Sequence, residues 1–489
     1  MKGPIKTLAR YQPFFFLFGL PLFFVFHGFV ENARFIRFTD CLPLMGEYCL
    51  AALLLYLFFY IFLRNSVKAA LMASFVMAFF LFFGQIHDPL RKHAIFLHRY
   101  SILLPLFLVL TALLTFWLRK NPPFVRLGLF LTALFGLYLL VDGVVLITTL
   151  LRKEPSGITA SSLVLPTRTG CDTCSRPDIY LLLFDEYSGS QTLRDVYHFD
   201  NSSLDDFLIA EGFHIQRKSK SNYFFTPFSM ASMLNLSYLK GIPRPEALQP
   251  DDYTNIFEPL KKNEVVNFLI QNGYDIVNNS PFDMPEHPSF LDQPFIATRT
   301  RLITYYTLSD YLVRDLGYHL SALMHVDMSD QANEKALRLT MDAGSNHREH
   351  PLFVYMHVLM PHWPYFYDSA LHRRSPEEIA APPAVKDYLG YLPYTNSRIK
   401  ELIMAIKKNS GGQAVILFMS DHGMRPSEKE TRIANYFRNQ NAVFFPDRDY
   451  TAFYDSISNV NQFRVVFNKL FRLNLPLLKD SAIFLQDRK

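Results

Sequence analysis

The stretch VILFMSDHGMR, residues 415–425, decides how the rest of the chain is read. Val415 to Met419 have the length and composition of a strand buried on both faces of a parallel sheet. The apolar run stops at Ser420-Asp421-His422-Gly423, where a carboxylate and an imidazole stand side by side. In an open α/β sheet, ligands bind beyond the carboxyl ends of the strands, so an Asp-His pair there is a candidate for binding chemistry.

Two other stretches have the same form. Ile179 to Phe184 closes on Asp185-Glu186, and Leu352 to Leu359, which contains His357, closes on Met360-Pro361-His362-Trp363-Pro364. A strand-final Asp often just caps a turn, and a lone His is often structural. Three strand ends rich in oxygen and imidazole ligands are harder to dismiss. Carboxylate and imidazole without thiolate suit one divalent metal, Zn or Mn rather than Ca or Mg. Further strands are expected at 214–218, 273–277 and 442–445, and helices at 203–210 and 265–271. The predicted fold is α/β with a central, mostly parallel sheet.

A hydroxyl nucleophile is available in Asn222-Tyr223-Phe224-Phe225-Thr226-Pro227, which leads into Phe228 to Asn235. Thr226 is expected as the N-cap of a helix with Pro227 as its first residue. The free N–H groups there favour an anion, so phosphate fits; the plainer reading is a cap and nothing more. His357 is either a support behind the site or a packed core residue. Arg425 either contacts an anionic substrate or forms a surface pair.

Upstream of residue 150 the composition changes. The chain of 489 residues is 50% apolar and 19% charged, yet residues 1–150 hold only 18 charged side chains, 13 basic and 5 acidic. The overall +5 divides into +8 for this part and −3 for the remainder, which excludes the basic folded face that nucleic-acid binding requires. Five stretches approach the roughly 20 apolar residues a membrane span needs, at about 13–30, 42–63, 69–86, 101–118 and 124–147. An inside N-terminus places eight basic residues in the cytoplasm against seven outside, which puts the C-terminal part outside. Asp142, within the fifth span, is either functional or paired with a neighbouring helix. The expected organisation is a transmembrane anchor over 1–150, a linker over 151–176 and a catalytic domain over 177–489. Cys171 and Cys174 in the linker read as a local disulfide, a redox pair or free thiols.

The order strand-Asp/Glu, Thr before a helix, P-H-x-P and S-D-H-G, spread over residues 178–425, resembles the sulfatase branch of the alkaline phosphatase superfamily. Placed behind five spans, it is similar to the membrane-bound lipoteichoic acid synthases and phosphoethanolamine transferases. The resemblance implies Asp421, His422 and Asp185 as metal ligands, with Glu186 the alternative acid and the Thr226 oxygen a further ligand. It implies Thr226 as nucleophile and His362 as the contact to substrate or leaving group. Thr226 cannot become the formylglycine that sulfatases make from Cys or Ser, which implies transfer of a phosphoryl-linked headgroup through Thr226. The implied partners are a membrane lipid donor and a glycan or lipid-linked acceptor, with the catalytic domain on the periplasmic face of the cytoplasmic membrane. A phosphate or sulfate ester hydrolase and a catalytically silent envelope-assembly protein are the alternatives.

Overall fold

The computed structural model describes residues 4–33, 36, 38–93, 96–151, 157–160, 163, 165–166, 176–243, 245–248, 250–289, 300–315, 328–344, 349–380, 382–426 and 432–486. Cys171 and Cys174 lie outside the described residues. The chain divides into two compact units, Met1–Glu154 with Ala297–Leu320, and Pro155–Ile296 with Ser321–Lys489.

The first unit is helical. Gln12–Glu31, Phe38–Leu63, Tyr100–Lys120 and Val125–Thr149 are each long and apolar enough to cross a membrane. Helices suit that setting because they satisfy their own backbone hydrogen bonds. The third expected span is a pair, Ser66–Leu81 and Phe83–His93, bent by 58°. The bend has a local cause. The N–H of Gly84 donates to the carbonyl of Tyr306 at 2.8 Å instead of continuing the helix, and a Cβ on Gly84 would meet the Tyr306 ring at 2.7 Å.

Tyr306 belongs to a segment that returns from far downstream. Helices Arg301–Thr304 and Leu308–Asp315 pack in this unit: Ile303 joins its apolar core, and the Tyr311 hydroxyl donates to Asp88 at 2.6 Å. Asp142 is paired, its Oδ1 lying 3.0 Å from Nδ1 of His27, which satisfies the plainer of the two expectations for an intramembrane carboxylate. Cys41 and Cys49 lie on the same helix, Phe38–Leu63, about 12 Å apart at the helical rise per residue, beyond disulfide reach.

The second unit is α/β. Its principal sheet has six strands: β1 (Ile179–Phe184), β2 (His214–Ile215), β3 (Asp275–Asn279), β4 (Leu352–Val358), β5 (Val415–Met419) and β6 (Asn441–Phe444), in the spatial order β2-β6-β5-β1-β4-β3. The run β5-β1-β4-β3 is parallel, as expected, whereas β6 and β2 add an antiparallel edge. Every residue of β1, β4 and β5 is buried, which is why these strands read as continuous apolar runs rather than alternating ones. Burying side chains such as Leu181, Leu183 and Leu417 contributes about 1.5–3 kcal/mol each and holds the strand ends in place.

Candidate active site

Parallel register brings the three strand ends to one edge. Leu183 pairs with Met419, and Phe184 with Val358, so the chain leaves β1, β5 and β4 side by side. Asp185, Asp421 and His422 follow at those exits. All three are buried, and each offers a ligand atom within 4.8 Å of the others.

Their hydrogen bonding shows what they can hold. Nδ1 of His422 lies 2.9 Å from the carbonyl of Gly423 and donates to it, which leaves Nε2 as a bare lone pair. Nε2 faces Oδ2 of Asp421 at 3.1 Å and Oδ1 of Asp185 at 3.9 Å. Both of those oxygens are buried without a hydrogen-bond donor. Lone pairs directed at one another in a dry site are costly, and a divalent cation satisfies them together. The residues present therefore fit a metal.

Thr226 completes the group. Its hydroxyl lies 3.3 Å from Nε2 of His422. The helix Thr226–Leu234 begins one residue earlier than expected, with Phe225 as N-cap, so Thr226 is the first helical residue and its hydroxyl is not spent on capping. Ser229, one turn on, donates from Oγ to the Asp421 carbonyl at 2.7 Å and fixes this helix to the S-D-H-G loop.

Asp185 and Glu186 leave the strand in different directions. Asp185 enters the three-residue group. Burial alone would raise its carboxyl, but the neighbouring imidazoles of His357, 3.6 Å away, and His362 outweigh that and hold it well below the usual carboxylate range. Glu186, with φ at +63°, stands outside the group. Its backbone N–H donates to Oδ1 of Asp421 at 3.0 Å, and its Oε1 accepts from the N–H of Arg425 at 2.8 Å. The Arg425 Nε is 3.4 Å from the same oxygen, so Arg425 is engaged in an ion pair at the site rather than on the open surface.

His362 sits between two cis prolyl bonds and directs Nε2 toward Oε2 of Glu186 at 3.8 Å. Burial lowers its pKa, but the carboxylates of Glu186 and Asp185 more than offset this, and the imidazole stays protonated above its ordinary range. His357 does not line the cleft. It is fully enclosed, with Nδ1 3.0 Å from the Tyr355 hydroxyl and Nε2 3.6 Å from Oδ2 of Asp185, so its neighbour is a candidate metal ligand and not open space.

Residues that no motif singles out hold this arrangement. The buried Tyr388 hydroxyl donates to the Glu186 carbonyl at 3.0 Å and accepts from the Ser188 N–H at 3.1 Å, clasping the left-handed turn. Asn439 donates to the Ser420 carbonyl at 2.6 Å and Asn459 to the Asp421 carbonyl at 3.1 Å. Gly423 admits no side chain, since a Cβ would lie 2.5 Å from the Arg438 carbonyl oxygen.

Residues 221–463 match the family model described as Sulfatase. No match to a curated protein was found. Among solved structures, the chain is similar to the C-terminal periplasmic domain of EcEptC from Escherichia coli in complex with Zn, at 11% identity and a TM-score of 0.41, over 68% of this chain and 90% of that one. It is also similar to the C-terminal periplasmic domain of phosphoethanolamine transferase EptC from Campylobacter jejuni, at 13% identity and a TM-score of 0.34, over 65% and 97%. A third similar structure is the phosphonate monoester hydrolase of Agrobacterium radiobacter, at 11% identity and a TM-score of 0.38, over 60% and 74%.

Proposed function

We propose that this enzyme, whose residues 221–463 match the Sulfatase family model, is a membrane-anchored, metal-dependent transferase. It moves a phosphoryl-linked headgroup, of phosphoethanolamine or phosphoglycerol type, from a phospholipid to a glycan or lipid-linked acceptor in the cell envelope. The observation that carries the reading is the Thr226 hydroxyl, 3.3 Å from His422 Nε2 and beside the buried Asp185–Asp421–His422 group.

Asp185, Asp421 and His422 would hold the metal, with the Thr226 oxygen joining them. Zn or Mn fits better than Ca or Mg because an imidazole is among the donors. A bound divalent ion supplies Lewis-acid polarisation of the phosphoryl oxygens and lowers the pKa of a nearby hydroxyl. Thr226, its proton lost to solvent, forms an Oγ1–P bond as the P–O bond to diacylglycerol breaks. His362 gives its Nε2 proton to the departing oxygen. The acceptor hydroxyl then returns a proton to His362 and attacks phosphorus, and Thr226 leaves.

Other residues position and tune these groups. His357 supports Asp185 from behind. Glu186 keeps His362 protonated and anchors Arg425, whose guanidinium also lies 5.4 Å over the Phe225 ring. The four helices and the bent pair support a membrane location, which gives access to a lipid donor. With the bent pair taken as one span, five spans from an inside N-terminus support a catalytic domain on the periplasmic side.

The test is peptide mass spectrometry of the protein isolated from its own membrane, together with labelled phospholipid. The reading expects a headgroup-phosphate adduct on Thr226 and label transferred to an acceptor. Free labelled headgroup, released in water without an acceptor, would instead identify a hydrolase. Absence of any adduct and of any turnover would sink both.

A further inference from the structure

Within the first unit, the bend between Ser66–Leu81 and Phe83–His93 leaves a crevice of about 420 Å³ against the helix Tyr100–Lys120. Phe75, Phe79, Phe82 and Ile86 line one wall, and Leu103 and Phe107 the other. Every lining side chain is apolar. The rings of Phe79 and Phe107 stack at 3.6 Å and join the two walls. Leu103, Leu106, Phe107 and Leu110 fall on one stripe of their helix by the i, i+3, i+4, i+7 rule. Arg99, the extended N-cap residue, immediately precedes that helix.

One end of the crevice is basic. Arg91 and Lys92 end the Phe83–His93 helix, and Arg99 precedes Tyr100. All three are exposed, and among the described residues none pairs with a carboxylate. The helix ends are held together by His87, whose ring lies 5.6 Å from that of Tyr100 and 5.7 Å from that of His98. Tyr311 braces the same corner, its ring 5.3 Å from Phe83 and 5.1 Å from His87.

We propose that this crevice holds one acyl chain of a membrane phospholipid, with the phosphate among Arg91, Lys92 and Arg99. The proposal rests on the membrane-spanning reading of these helices. An apolar crevice in hydrocarbon forfeits dispersion contacts unless something apolar fills it, and the occupant at hand is an acyl chain. The unpaired charges at one end select a chain that carries an anionic headgroup. With the bent pair taken as one span, that end faces the same side of the bilayer as Leu151, where the Val125–Leu151 helix ends. The site would hold a phospholipid in the leaflet from which the proposed reaction draws its donor.

The experiment uses the full-length chain in vesicles containing a phosphatidylethanolamine probe with a diazirine in its acyl chain. Photolysis and peptide mapping are expected to concentrate label in 75–86 and 103–110. Ala78→Phe and Leu106→Trp, which fill the crevice, should each reduce that label at least fivefold. Arg99→Glu should reduce it at least threefold. Label on the Val125–Leu151 helix should not change, and thermal unfolding reports whether each variant folds. Label spread evenly over all exposed helices, or undiminished in both filling variants, overturns the proposal by showing only surrounding lipid. Cross-links between two copies at these residues overturn it in favour of a dimer. Thr226→Ala should leave the labelling intact, so loss of transfer with labelling retained counts against the proposed reaction and not against the crevice.

Discussion

Oγ1 of Thr226 and Nε2 of His422 are separated by 3.3 Å, although 196 positions divide them in the chain. Because Nδ1 of His422 is committed to the Gly423 carbonyl, the Thr226 hydroxyl faces a lone pair and not an N–H. Thr226→Ala is expected to lower kcat by at least about 10³-fold, as removal of a covalent nucleophile does, and to abolish the adduct. Thr226→Ser should retain measurable turnover. A Thr226→Ala protein with near-normal kcat in a steady-state assay would contradict the assignment.

Asp185 and Asp421 each carry a buried oxygen without a hydrogen-bond donor. Asp421→Asn should therefore leave the purified protein short of stoichiometric Zn or Mn when metal is measured by mass spectrometry. His357→Phe keeps all the ligands but removes the group behind Asp185, and should weaken metal binding by about 10–100-fold. Chelation should remove activity reversibly, with Zn or Mn restoring it better than Ca or Mg.

Protonated His362 is the form that donates to the leaving oxygen. Burial opposes that charge, and Glu186 and Asp185 restore it, so the folded pKa lies above the ordinary value. Activity on the alkaline side is expected to fall as pH rises through that pKa. With Asp185 committed to metal, Glu186 is the carboxylate left to hold the proton. Glu186→Gln should then move the alkaline limb of the kcat/KM profile to lower pH. A limb that stays in place, or moves to higher pH, would exclude His362 as the titrating acid.

Tyr388 carries no proposed chemistry yet holds the Glu186 turn. Tyr388→Phe leaves the buried Ser188 N–H without its acceptor, which costs about 1–3 kcal/mol. A lower Tm is expected, together with a change in kcat larger than that in KM, because the turn aims the acid that tunes His362. An unchanged Tm would show that the clasp contributes little.

Much of this site was legible because buried parallel strands advertise themselves as apolar runs, and their ends fall at one edge once the pairing is parallel. Asp185, Asp421 and His422 emerged on that logic, whereas Thr226 was offered by the helix start at Thr226-Pro227 and given the nucleophile's role by the resemblance alone. The choice between Asp185 and Glu186 did not. Adjacent residues at a strand end point to opposite sides, and only the left-handed turn at Glu186 decides which carboxylate joins Asp421 and His422. Tyr388, Ser229, Asn439 and Asn459 were invisible for another reason. Each acts on a backbone group supplied by a distant part of the chain, and such contacts have no local periodicity or spacing.

The antiparallel edge formed by β6 and β2 was likewise beyond pattern reading. Ala442 to Phe445 is a short apolar run whose composition does not state its direction. The helices 301–304 and 308–315 left even less trace. Their apolar content is modest, and their place against Gly28 and Gly84 depends on two positions where a side chain would collide with Ile303 or Tyr306.

That returning segment makes the gene a nested arrangement rather than a tandem one. The chain passes between its two units at three places, so the anchor is encoded in two separated stretches. A chimera spliced once, in the 151–176 linker, would pair a foreign anchor with a 301–315 segment shaped for Gly84 and Asp88. Exchanging anchors between relatives therefore requires a second exchange downstream, and inherited variation in 301–315 is expected to track the first 150 residues rather than the catalytic sequence around it.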